Sequence, residues 1–293
     1  MYDSIRSLFI AIRIKTLSAS ICPVLIGSSL ALKYDSFNFN IFFFTISAAL
    51  LIQIGTNFFN DVYDFLKGAD NKDRLGPQRA VQSNLIAPKT MIVYGAISFL
   101  IAIFCGLPLV IAGGWPILII GLLSIVSGYL YTAGPYPLGY NGWGDIFVFI
   151  FFGPVAVCGT YYLQSFNISS IPILYGICLG ALSTCLLCVN NIRDVKNDKL
   201  AGKRTIAVRV SPHFVRCIFS LLLILVNILN IYIYTKLPAS YYIYSLVIIF
   251  LILSLKLSLN IFNKDGEELN DTLKQVSLLI IFFTIITLLN NVL

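Results

Sequence analysis

Charge is scarce in this chain. Of its 293 residues only 11% are Asp, Glu, Lys or Arg, while 58% are apolar or aromatic; a soluble domain averages about 25% charged. So few charges cannot coat a water-facing surface, and so apolar a composition also excludes a disordered chain. Histidine is almost absent. His213 is the only one, which removes metal sites needing several histidines and leaves one residue for any Ser-His-Asp triad, with no GxSxG elbow beside it. Walker A and dinucleotide-binding glycine patterns are missing as well. The seven cysteines (Cys22, Cys105, Cys158, Cys178, Cys185, Cys188 and Cys217) lie in or at the edge of apolar stretches, as small buried hydrophobes do rather than a disulfide framework. Cys185 and Cys188 form a CxxC pair, but no second pair or nearby histidine accompanies it, so packing is its expected role.

Apolar runs are plentiful. Nine are long enough to be read as membrane-crossing helices: 16–32, 38–59, 91–111, 115–131, 145–163, 171–189, 217–234, 240–259 and 275–293, each near the roughly 20 residues a bilayer core requires. The expected fold is therefore all-α, a polytopic bundle of nine transmembrane helices forming one domain over 1–293. Arg6, Arg13 and Lys15 before the first run also fit a signal peptide, but no convincing small-residue cleavage site follows. The loops test the span count. With the N-terminus inside, all basic residues except Lys33 and Lys236 fall on the inner side, as the positive-inside rule requires. This predicts a cytoplasmic N-terminus and an outer C-terminus in a cell membrane. The net charge of +7 and pI near 9.0 then reflect the bilayer as partner and not nucleic acid.

The positive-inside rule says nothing about acids, yet Asp35 alone among them lies on the outer side. Two inner segments concentrate the rest of the interest. The first runs from Asn57 through Asn60, Asp61, Asp64, Lys67, Gly68 and Asp70 to Arg74. The second runs from Asn190, Asn191, Arg193 and Asp194 through Lys196, Asp198 and Lys199 to Lys203 and Arg204. Helical continuation would place Asn57, Asp61 and Asp64 on one face, and Asn190, Asp194 and Asp198 repeat at i, i+4, i+8. Stacked carboxylates repel unless a cation sits among them, and acids at the mouth of a membrane helix tend to face a cavity. Oxygen-only clusters suit Mg²⁺, and the neighbouring Lys and Arg complete a site for a strongly anionic ligand such as diphosphate. Solvated mixed-charge loops are the plainer reading of either segment alone. Two such stripes on one membrane face argue against it. A transporter is the alternative of a different class; it would carry its ionisable residues near mid-membrane on broken helices, whereas these lie at span ends.

Asn60-Asp61-x-x-Asp64-x-x-x-Gly68-x-Asp70, followed by Asp194-x-x-x-Asp198, resembles the two aspartate-rich motifs of the UbiA-type intramembrane prenyltransferases. Further blocks resemble the branch that prenylates 1,4-dihydroxy-2-naphthoate: Arg13-Ile-Lys15-Thr16-Leu17, Gly76-Pro77-Gln78-Arg79-Ala80-Val81-Gln82-Ser83, Tyr131-Thr-Ala-Gly134-Pro135-Tyr136-Pro137-Leu138 through Gly159-Thr160-Tyr161-Tyr162, and Asn190-Asn191-Ile-Arg193-Asp194 through Thr205, with Leu269-Asn270 a weaker echo. Ile14 stands where the family commonly has proline, and Gly68 where its wider membership often has Asp.

The resemblance implies nine helices and transfer of a prenyl chain from a polyprenyl diphosphate to an aromatic acceptor, 1,4-dihydroxy-2-naphthoate in this branch, with loss of the ring carboxylate as CO₂. Another acceptor such as 4-hydroxybenzoate is the alternative within the family. It implies Mg²⁺ held by Asp61, Asp64, Asp194 and Asp198, with Asp70 in support. Lys67, Arg74, Arg79, Arg193, Lys199 and Lys203 form the pool of diphosphate-binding cations, and Arg13 and Lys15 would meet acceptor carboxylate or diphosphate. Asn57, Asn60, Asn190 and Asn191 would join the substrate site. Tyr131, Tyr136 and Tyr140 are candidates to face an allyl cation, or equally interfacial anchors.

Overall fold

The computed structural model describes residues 2–237 and 239–292, leaving the side chains of residues 2–5 and of Lys15 outside the description. Where apolar runs begin and end, local chemistry marks the boundary. Helix α1 (Tyr2–Ile12) gives way to α2 (Ile14–Lys33) at Arg13, whose φ of 57° is left-handed; Thr16 closes this elbow by donating its N–H and hydroxyl to Arg13 O at 2.8 and 2.9 Å. Helix α3 (Phe39–Leu66) is capped by the Asn38 side chain, which accepts from Asn40 and Ile41 N–H at 2.9 and 3.2 Å and so satisfies two orphan donors of the first turn. Helix α4 (Pro88–Gly113) has proline at its first position, where no N–H is needed, and stops at Gly114 with φ 71°. Helix α5 (Trp115–Leu130) follows directly.

The run expected at 145–163 is not one continuous α-helix. Helices α6 (Gly144–Ile150) and α7 (Ala156–Ser165) are joined by a π turn, Phe151–Val155. Pro154 supplies no N–H to the ladder there, and Gly153 departs to φ −118°, ψ −108°. Helices α8 (Ser170–Arg193), α9 (Val195–Leu200), α10 (Ile206–Arg209), α11 (Pro212–Lys236), α12 (Tyr241–Asn260) and α13 (Leu269–Val292) complete the chain. Among the described residues there is no strand.

Among the described residues, eight helical stretches are long and apolar enough to cross a membrane. The remaining expected span is α5, whose 16 residues reach about 24 Å at 1.5 Å per residue, short of the roughly 30 Å hydrocarbon core. The faces turned outward are apolar: on α4, Ile97, Leu100, Ile101, Phe104 and Ile111 are all exposed. A stripe of this kind is a lipid-facing surface.

Helix α8 is the core of the bundle. Its Tyr175, Cys178, Leu179, Leu182, Cys185 and Val189 are fully buried against Phe219 and Leu223 of α11 and Ile280 and Phe283 of α13. Cys185 and Cys188 are free and buried here, so the CxxC pair is packing. On its other side α8 meets the π turn through glycines. A Cβ on Gly153 would come 2.5 Å from Gly176 O, and one on Gly180 would come 2.4 Å from Phe149 O. The Gly176-x-x-x-Gly180 step thus lets two backbones touch, which fixes α6 and the π turn against α8.

Candidate active site

A cavity of about 450 Å³ opens where α2, α3, α5, α6 and α8 converge. Its two ends differ in chemistry. One is lined by Arg13, Asn60, Asp64, Asp70, Arg74, Arg79, Asn190, Asp194, Asp198 and Lys203; the other by apolar side chains of α4, α5 and the broken α6–α7 crossing, among them Ile103, Leu107, Leu118 and Phe151.

The second Asp-rich segment arrives as its spacing predicts. Helix α8 ends at Arg193 and α9 begins at Val195, with Asp194 between them at φ −94°, ψ 7°. The i→i−4 ladder nevertheless continues, Asp194 N–H to Asn190 O at 2.9 Å and Asp198 N–H to Asp194 O at 2.8 Å. Asn190, Asp194 and Asp198 therefore stay on one stripe and all line the cavity. Asn191 lines it too.

The first segment divides. Asn60 and Asp64, a turn apart on α3, face the cavity, with Gln53 and Thr56 continuing the same stripe inward. Asp61 lies about 60° round the helix from Asp64 at 100° per residue and is not among the cavity-lining residues. Its two carboxylate oxygens accept backbone N–H of Ala80 and Val81 at 3.1 and 3.3 Å, fully buried. Asn57 likewise turns away, donating to Ile12 O at 2.8 Å and Thr16 Oγ1 at 3.1 Å. Both side chains hold elements that carry arginines: Asn57 ties α3 to the Arg13 elbow, and Asp61 ties it to the loop bearing Arg79. The expectation that Asn57, Asp61 and Asp64 share one face is corrected accordingly.

Asp70 reaches the site through the turn after α3, where Gly68 takes φ 77° and Ala69 and Asp70 N–H both donate to Asp64 O. Buried, it is hydrogen-bonded to Arg74 and lies 3.2 Å from Arg79 Nε. That second contact lacks hydrogen-bond geometry, so Arg79 Nε and Asp70 Oδ2 keep no hydrogen-bond partner. Asp70 gathers two guanidinium groups at the cavity rim. Lys203 stands between the two Asp-rich segments, 3.9 Å from Asp64 Oδ1 and 3.7 Å from Asp198 Oδ1. Tyr140 donates its hydroxyl to Asp64 Oδ1 at 2.9 Å, and Lys67 and Lys203 lie 4.5 and 5.2 Å from its ring centroid. Among the described residues no three carboxylates form a ready-made metal ligand set.

Other expected site residues are placed elsewhere. Arg193 is nearly inaccessible and its guanidinium is spent: it chelates Asp194 at 2.8 and 2.7 Å and donates to Asn270 and Asn190, both at 2.9 Å. It positions Asp194 and does not face the cavity. Lys67 gives its ammonium to Thr132 O at 2.6 Å. Lys199 and Tyr136 are exposed and away from the cavity, whereas Tyr131 is in its wall. Lys15 has its side chain outside the described residues.

The electrostatics point to missing partners of both signs. Burial lowers the pKa of Arg13 against the pull of Asp61, and burial with Arg13 and Arg74 nearby brings that of Arg79 down to about 9. Arg13 Nε and one terminal nitrogen, like Arg79 Nε, are buried without acceptors. Burial also pushes the Asp198 carboxyl up to about 6, Asp194 and Asp64 adding to this and Lys203 opposing it. Burial would raise Asp194 too, but the Arg193 chelate overrides it and holds the carboxyl low. Unpaired buried guanidinium N–H groups are expensive, and anionic oxygens are their natural partners.

A helical membrane bundle with a mixed-charge cavity walled by two Asp-rich segments defines a class, and its relatives agree. The chain belongs to the UbiA prenyltransferase family, whose model matches residues 20–286. Within the family it is similar to 1,4-dihydroxy-2-naphthoate octaprenyltransferases. It is 34% identical over 218 residues to that of Mycobacterium tuberculosis, spanning 74% of each chain. To that of Escherichia coli it is 36% identical over 206 residues, 68% of this chain and 67% of the relative. In fold it matches a UbiA homologue from Archaeoglobus fulgidus bound to GPP and Mg²⁺, with a TM-score of 0.71 at 15% identity over 98% of this chain and 100% of that one. The apo UbiA homologue from Aeropyrum pernix K1 matches at 0.74 and 14% identity, over 96% and 99%.

Proposed function

We propose that this protein transfers a polyprenyl chain from an allylic polyprenyl diphosphate to 1,4-dihydroxy-2-naphthoate, releasing diphosphate and CO₂, with Mg²⁺ as cofactor. One observation carries the reading: buried guanidinium N–H groups without acceptors (Arg13, Arg79) share a cavity with Asp64, Asp194 and Asp198, and that cavity continues into apolar walls. A ligand with a highly charged head and a hydrocarbon tail matches both ends. Similarity to 1,4-dihydroxy-2-naphthoate octaprenyltransferases supports the choice of acceptor.

The donor set fits Mg²⁺, which prefers carboxylate oxygens completed by substrate phosphate; Asp64, Asp194 and Asp198, with Asn60, would hold it. When bound, Mg²⁺ supplies Lewis-acid neutralisation of the leaving diphosphate. Arg13 binds the same anion through the N–H groups it now holds unpaired, and Asp70, beside Arg79 Nε and hydrogen-bonded to Arg74, keeps those two guanidinium groups aimed at it. Apolar side chains of α4 to α7 exclude water from the allylic carbon as its bond to oxygen breaks. Tyr131, in the cavity wall, faces the carbon skeleton. The ring carbon bearing the carboxylate forms the new C–C bond; the C–CO₂ bond breaks, and its electron pair restores the aromatic ring. By the charge distribution of the loops, this end of the cavity and the N-terminus face the cytoplasm.

Membranes containing the protein should convert 1,4-dihydroxy-2-naphthoate and a polyprenyl diphosphate to a decarboxylated prenyl product, with CO₂ released in equal amount and only when Mg²⁺ is present. If 4-hydroxybenzoate is prenylated and dihydroxynaphthoate is not, the acceptor assignment is wrong.

A further inference from the structure

Every carboxylate in the cavity wall but one is paired with a cation. Asp64 and Asp198 share Lys203, Asp70 holds Arg74 and Arg79, and Asp194 is chelated by Arg193. Asp145, in the first turn of α6, also lines the cavity. Among the described residues its carboxylate forms no ion pair, and the Tyr131 hydroxyl and the Cys188 thiol are the polar side chains that feel its charge. It belongs to neither Asp-rich segment.

We propose that Asp145 is a specificity-determining contact for the aromatic acceptor, taking a hydrogen bond from a ring hydroxyl. This rests on the prenyl-transfer reading of the same cavity and adds the recognition of the second substrate to it. Asp145 is half-buried, and a substrate filling the cavity would displace the water at its carboxylate, which then requires a donor. The diphosphate cannot be that donor, since it brings further negative charge and has its own arginines. A phenolic hydroxyl is a neutral donor, and the bond it makes to a carboxylate is of the stronger, charge-assisted kind. The surroundings suit a planar ring. Phe147 and Phe151 follow Asp145 on the same crossing, both line the cavity, and they stack at 5.9 Å with 11° between planes. The Tyr131 hydroxyl closes the other side against Gly144, where a Cβ would approach it to 3.0 Å. The absence of a side chain at Gly144 keeps this slot open next to the acid. The glycine contact between α8 and the π turn fixes its position in the bundle.

The test compares the wild-type protein with Asp145→Asn and Asp145→Ala, using a hydroxylated acceptor and its O-methyl analogue. Loss of a hydrogen bond to a charged group predicts that kcat/KM for the hydroxylated acceptor falls about ten- to a hundredfold in Asp145→Ala. The KM for prenyl diphosphate and the Mg²⁺ requirement stay unchanged. The preference for hydroxyl over methoxyl shrinks by the same factor, which a purely structural role would not produce. Equal discrimination in variant and wild type overturns the proposal. So does a raised Mg²⁺ requirement, which would make Asp145 a metal ligand instead. Binding of the acceptor alone to the purified full chain, followed by fluorescence, separates this inference from the reaction. If the wild type prenylates no aromatic acceptor yet binds one in an Asp145-dependent way, the reaction assignment fails and the contact stands. If binding is indifferent to Asp145, the contact fails.

Discussion

Replacing Asp61 by Asn separates two roles that the same carboxylate could have. Its oxygens accept the N–H groups of Ala80 and Val81, so the side chain anchors the loop whose preceding residue, Arg79, reaches the cavity rim. Asparagine keeps one acceptor but turns an NH₂ toward the other backbone N–H, leaving two donors facing each other. Losing one buried charge-assisted bond costs about 1.5–3 kcal/mol. If that loss falls on the placement of Arg79, the KM for prenyl diphosphate should rise about ten- to a hundredfold, at 1.4 kcal/mol per tenfold. The Mg²⁺ concentration for half-maximal rate should not move. Asp64→Asn is the contrasting variant: it removes a cavity carboxylate and should raise the Mg²⁺ requirement. Initial rates measured across prenyl diphosphate at saturating Mg²⁺, and across Mg²⁺ at saturating substrate, distinguish the two. A normal KM for the diphosphate with a shifted Mg²⁺ requirement in Asp61→Asn would refute the anchoring role and restore Asp61 as a ligand.

Two further predictions concern packing and orientation. Gly180→Ala places a Cβ 2.4 Å from the carbonyl oxygen of Phe149, so one backbone must shift at a cost of about 1–3 kcal/mol; thermal unfolding in detergent should show a lower Tm, and an unchanged Tm would mean the contact yields freely. The loop charges predict that the Asp-rich end lies inside, so in intact cells a membrane-impermeant amine reagent should modify Lys236 and spare Lys72, whereas the reverse labelling pattern would invert the topology.

Helical periodicity made the second Asp-rich segment readable from the sequence, because Asn190, Asp194 and Asp198 are a whole turn apart and only one face can hold all three. The break at Asp194 did not disturb them, since the hydrogen-bond ladder runs through it. The first segment offers two overlapping faces, Asn57-Asp61-Asp64 and Thr56-Asn60-Asp64, and local spacing cannot decide which the bundle turns inward. Tertiary packing decides it: α1 and the loop after α3 occupy the side of Asn57 and Asp61. Arg193 reads as a free cation because adjacency to Asp194 and Asn190 does not by itself show that its guanidinium turns back onto them, and its third partner, Asn270, is distant in sequence. Asp145 carries no pattern at all, being a lone acid at the head of an apolar run. The π turn at Gly153-Pro154 that interrupts that run is not legible in the sequence, since a proline alone does not specify one. Composition and the loop charges were sufficient for the helical membrane architecture, because hydrocarbon leaves the backbone few alternatives.

Asn270 has a consequence for how the protein matures. Its amide donates to Leu75 O at 2.9 Å and its carbonyl oxygen accepts from Arg193 at 2.9 Å, partners 195 and 77 residues away in the chain. One side chain at the start of the final helix therefore stitches together the two halves of the charged pocket. A nascent chain halted before residue 269 already owns every carboxylate and arginine discussed above, yet lacks the stitch between them. A chain without Asn270 would keep the charged groups of the pocket and lose the hydrogen bonds that tie the Leu75 loop to Arg193.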